Sequence, residues 1–118
     1  MSKPQCFGFI PVVTSGTNVP LAANTSTTQL QVQSSKAWTV QAIRANGVVN
    51  TGYVALGVVG MNRLTGAGVI AYLAPGTTAG SGTFFNSGTN SDSADYDLDQ
   101  IVIDAPNAGD GVILTSFA

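Results

Sequence analysis

At 118 residues the chain has room for one domain, and a globule of this size buries roughly two-thirds of the surface its unfolded form exposes. Only 8% of the residues are charged, against about a quarter in an ordinary soluble domain, yet no apolar run approaches the roughly 20 residues of a membrane-spanning helix. The formal net charge is −2, and the four basic residues, Lys3, Lys36, Arg44 and Arg63, are scattered, which excludes the clustered basic face that electrostatic nucleic-acid binding needs.

Ser, Thr, Asn, Gln and Gly stand where charge is missing. These neutral groups are covered by another surface at modest desolvation cost, and interface cores are depleted in Lys, Glu and Asp for that reason. The composition therefore suits a subunit packed against neighbours.

From the N-terminus, Cys6-Phe7-Gly8-Phe9-Ile10-Pro11-Val12-Val13 is the most apolar stretch. It imitates a secretory signal, but Thr14-Ser15-Gly16-Thr17-Asn18 separates it from Leu21-Ala22-Ala23, the would-be cleavage region, and the reading is rejected. Without secretion the sequon Asn24-Thr25-Ser26 has no consequence. Cys6 is the only cysteine, so no intrachain disulfide forms. Pro11 disfavours a central position in a sheet, so residues 1–18 are expected to form an extended arm or edge strand, with 19–118 as the β-sandwich domain. Phe7, Phe9, Ile10 and Val12 are the candidate partner-binding residues.

No stretch holds a helical period, whereas short β-branched runs between Gly, Pro, Asn and Ser recur. Strands are expected over 7–14, 28–34, 37–45, 52–59, 67–73, 82–85, 98–104 and 111–117. In the second, Leu30 and Val32 alternate with Gln29, Gln31 and Gln33, a half-buried pattern that Trp38, Val40 and Ala42 continue. The Ser34-Ser35-Lys36 link suggests a hairpin between these two. Further reversals are marked by Asn46-Gly47, Ala74-Pro75-Gly76 and Asp110-Gly111. The polar stretch 76–93, interrupted by Thr83-Phe84-Phe85, reads as an exposed loop or small hairpin. The fold class that follows is all-β: an antiparallel β-sandwich, jelly-roll-like or of another Greek-key order, with about eight short strands.

Catalytic machinery is hard to assemble from this sequence. It contains no His and no Glu, removing the usual general base and the commonest transition-metal ligand. Gly57-Val58-Val59-Gly60 and Gly66-Ala67-Gly68 lack the Lys and following helix of a phosphate loop. Asp95, Asp97 and Asp99, with Asp92 nearby, space carboxylates as a calcium loop does, but Gln100 stands where the turn glycine belongs and no closing Glu follows. They are better read as guards of a strand edge. Trp38, Tyr53, Tyr72 and Tyr96 are better read as core and sheet packing than as a sugar-stacking platform. No catalytic residue, metal ligand or cofactor is expected, and the chain is read as a non-enzyme.

Val19-Pro20-Leu21-Ala22-Ala23, Val40-Gln41-Ala42 leading to Asn50-Thr51-Gly52-Tyr53-Val54, Leu73-Ala74-Pro75-Gly76, Leu98-Asp99-Gln100-Ile101-Val102-Ile103 and Ala108-Gly109-Asp110-Gly111-Val112 run through most of the chain. In these segments it resembles small virion proteins encoded beside capsid genes in tailed bacteriophages. The resemblance implies a capsid decoration, cement or minor capsid protein in the virion, assembled in the host cytoplasm, with major capsid or other virion proteins as partners. Residues 1–18 stand as an addition to the family's pattern. A homo-oligomer is expected, a trimer by preference. The alternative is a fibre, neck or tail-associated module recognising host carbohydrate or another virion protein.

Overall fold

The computed structural model describes residues 4–21, 34–35, 37–87 and 96–117. Its strands are β1 Pro4–Pro11, β2 Val19–Pro20, β3 Ser34–Ser35, β4 Ala37–Ala42, β5 Val54–Val58, β6 Val69–Leu73, β7 Phe84–Asn86, β8 Tyr96–Asp97, β9 Ile101–Asp104 and β10 Gly111–Phe117. The first sheet has the order β1-β10-β4-β7 and the second β2-β9-β5-β6, with β3 and β8 forming a separate two-residue pair. Every pairing is antiparallel.

This order is that of a jelly roll. The chain crosses from sheet to sheet, and its last two long strands return beside its first two, β10 against β1 and β9 against β2. Strand order depends on contacts between distant parts of the chain, which is why the sequence leaves it open.

The core lies between the sheets. Ile10, Trp38, Val40, Ala42, Val112 and Leu114 enter it from the first sheet, and Val54, Leu56, Leu73, Ile101 and Ile103 from the second. Period-two alternation places them there: β4 buries Trp38, Val40 and Ala42 while Ala37, Thr39 and Gln41 between them are half-buried. Trp38 packs on Phe85 with ring centroids 5.5 Å apart, a large apolar contact between β4 and the edge strand β7 of the first sheet.

Two expectations need correction or placement. Ser34 and Ser35 pair with Asp97 and Tyr96 rather than turning the chain back onto β4. Both edges of β4 are taken, one by β10 and one by β7, so no position beside it remains for the expected hairpin partner. The Leu30 and Val32 alternation lies outside the described residues. β2, the short strand at Val19 and Pro20 that pairs with Ile103 and Val102, is absent from the sequence reading.

Candidate functional site

Cross-strand register assembles the outer face of the first sheet from four strands. Phe9 pairs with Ile113, Ile113 with Gln41 and Gln41 with Phe84, so one row runs from β1 to β7. Beside it Thr115 pairs with Thr39 and Thr39 with Asn86, and the Thr39 hydroxyl donates to Asn86 Oδ1. The Gln41 side-chain amide donates to Gly80 O at 3.2 Å. The face is apolar and hydroxyl- or amide-bearing, and its most exposed large side chain, Phe84, is 62% exposed.

Electrostatics reinforce that neutrality. Among residues whose side chains are described, the charged ones are Arg44, Arg63, Asp104 and Asp110, and they form two ion pairs. Asp110 is fully buried. Its carboxylate accepts hydrogen bonds from Arg44 Nε at 2.8 Å, Thr51 N at 2.9 Å, Thr51 Oγ1 at 3.0 Å and Gly52 N at 2.9 Å. Beside it the Asn50 amide exchanges two hydrogen bonds with the backbone of Gly111. The buried carboxylate is thus fully occupied in fastening the loop after β4 to the start of β10, which is a structural role rather than a chemical one.

The second sheet is finished differently. Ala55 of β5 and Val102 of β9 point outward, but residues 59–68 fold back over them and set Met61 against both, flanked by Tyr53 and Val69. The approach requires Gly57, where a Cβ would stand 2.5 Å from Gly68 O and from Met61 Sδ. Arg63 fastens this cover: its Nη1 donates to Tyr53 Oη at 3.2 Å and its Nη2 to Ser15 Oγ at 3.0 Å. Its Nε lies 3.2 Å from Asp104 Oδ2, an ion pair without hydrogen-bond alignment. Tyr72 Oη donates to Arg63 O at 2.8 Å, and the Tyr53 and Tyr72 rings meet edge to face at 5.4 Å.

The residues proposed from sequence as partner contacts are divided by this geometry. Ile10 and Val12 are buried in the chain's own core, because β1 is an edge strand bonded along its length to β10, so neither is available to a partner in the folded sandwich. Phe9 falls on the outer face, half-buried. Phe7 sits at the register shift between Cys6 and Gly8, and its side chain lies outside those described. Of the four expected partner-binding residues, Ile10 in β1 and Val12 just after it are thus core residues, and Phe9 is the one whose described side chain faces outward. Ile113, Gln41 and Phe84, which complete the row, were missed. The Phe84-Phe85 pair was their one sequence signal, since adjacent aromatics in a strand must face opposite sides.

Asp92 and Asp95 lie outside the described residues, as do the side chains of Asp97 and Asp99. Among the described residues no three His, Cys, Asp or Glu gather as a metal site, and no helix is long and apolar enough to cross a membrane. No family model, curated protein or solved structure matches the chain.

Proposed function

We propose that the chain is a non-enzymatic structural component of a phage virion, a capsid decoration or cement protein that seats the outer face of its first sheet on major capsid subunits and stabilises the shell. The supporting observation is the row Phe9, Ile113, Gln41 and Phe84 on a molecule whose described charges are consumed in internal ion pairs. Such a face is covered without stripping water from an ion, the condition that favours interface cores. A jelly roll is shared by capsid, lectin and other domains, so the architecture is compatible with this role without selecting it. The resemblance of the segments from Val19 onward to small virion proteins points the same way.

The subunit is expected to act as a symmetric oligomer, a trimer by preference, since closed symmetry covers neutral surface on each copy. Imaging particles assembled with and without the chain tests the reading. Two-layer density on the outer shell, present only with the chain, is the expected result. Density confined to a fibre, neck or tail favours a binding module there, and absence from the particle overturns the virion role.

A further inference from the structure

On the opposite side of the sandwich, the segment leading into β2 and the cover of the second sheet enclose a cleft of about 300 Å3, lined by Gly16, Asn18, Met61, Asn62, Arg63, Leu64 and Asp104. We propose that this cleft binds one ring of a neutral saccharide.

Its walls are held rigidly. Asp104 Oδ1 accepts from Gly16 N at 2.9 Å and from Ala105 N at 2.8 Å, which fixes the carboxylate and leaves Oδ2 beside Arg63. Asn18 Nδ2 donates to Met61 O at 3.1 Å, leaving its Oδ1 as an acceptor. Asn62 Oδ1 accepts from Leu64 N at 2.9 Å and Thr65 N at 3.3 Å, leaving its Nδ2 as a donor. The cleft therefore offers carboxylate and amide acceptors beside amide and guanidinium donors.

Sugar hydroxyls, which both donate and accept, match that mixture. Arg63 and Asp104 cancel in charge, so an anion gains the guanidinium only by approaching the carboxylate, and a cation meets the converse. Leu64, 79% exposed, supplies an apolar rim for the C–H face of a ring. The volume is at the lower end of the roughly 300–1,000 Å3 of small-ligand pockets, which suits one ring. The site is distinct from the face proposed to meet the shell, and its test does not depend on that role.

The experiment is an NMR titration of the isotopically labelled protein with the methyl glycosides of glucose, galactose, mannose and N-acetylglucosamine, with inorganic phosphate and N-acetylneuraminic acid as charged comparisons. At least one neutral glycoside is expected to shift the amides of Gly16, Asn18, Asn62 and Leu64, with a Kd on the order of millimolar. Asn62→Asp retains the oxygen that accepts from Leu64 and Thr65 but replaces the donor with a charged acceptor; it should keep the melting temperature and weaken binding by about tenfold or more. No shift with any neutral glycoside, shifts confined elsewhere, preferential binding of phosphate or the sialic acid, or unchanged binding by a folded Asn62→Asp protein would each overturn the proposal.

Discussion

The two sheets carry outward-facing apolar side chains and treat them in opposite ways. In β9 all four residues are buried, because Ile101 and Ile103 face the core while Val102 lies beneath Met61. In β4 only alternate residues are buried, and the row it shares with Phe9, Ile113 and Phe84 ends in a largely exposed ring. Residues 59–68 cover Ala55 and Val102 at the centre of the second sheet, although Ile70 and Tyr72 on its edge strand β6 stay 44% and 50% exposed, whereas none of the segments described shields Phe84 on the first. A solitary sandwich would gain from covering both, since each large apolar side chain removed from water contributes about 1.5–3 kcal/mol. The difference lies at the sheet centres: outward residues of β5 and β9 are covered from within the chain, and the outward row through β4 is covered by none of the segments described.

The largest expected effect tests the ion pair that fastens the loop after β4 to the start of β10. Asp110→Ala leaves Arg44 and the loop donors at Thr51 and Gly52 without their acceptor and should lower stability by about 3–5 kcal/mol, measured by denaturant unfolding. A loss below 1 kcal/mol would show that the loop after β4 is held by other contacts.

Ile10→Ala sharpens the division within β1. Its buried side chain should cost about 2–5 kcal/mol, whereas Phe9→Ala, on the outward face, should cost distinctly less in the same unfolding experiment. Equal losses would place both residues in the core.

Gly57→Ala attacks the cover of the second sheet, where the new methyl meets backbone and Met61. Overpacking of this kind costs about 1–3 kcal/mol, and hydrogen exchange should rise in residues 59–68 before it rises in β4. Unchanged exchange there would mean that the loop is not held by its close approach to β5.

How legible these features are in the sequence follows from the range of the interaction. Trp38, Val40 and Ala42 declare their alternation within one strand, and Asn46-Gly47 declares its turn, with Asn46 at φ 62°. β2 does not, because two residues including a proline carry no period. The jelly-roll order depends on β1 meeting β10 and β2 meeting β9 across nearly the whole chain. Asp110 looks like half of an Asp-Gly turn until folding brings Arg44 and Thr51 to it. The outward row is illegible for the same reason: Phe9, Gln41, Phe84 and Ile113 become neighbours only when the sheet is assembled. Ile10 and Val12 were drawn into the candidate partner set because hydrophobicity alone does not tell which side of an edge strand faces the core.

The smallest expected change in stability belongs to the residue with the largest expected consequence for assembly. Phe84→Asp should alter folding stability by no more than about 0.5 kcal/mol, as for other surface substitutions. Co-sedimentation of wild-type and Phe84→Asp protein with capsids lacking the chain measures the central claim directly. Wild-type protein should pellet with the particles and the folded variant should remain in the supernatant; equal pelleting of the two would contradict the assignment of the first sheet's outer face as the contact with the shell.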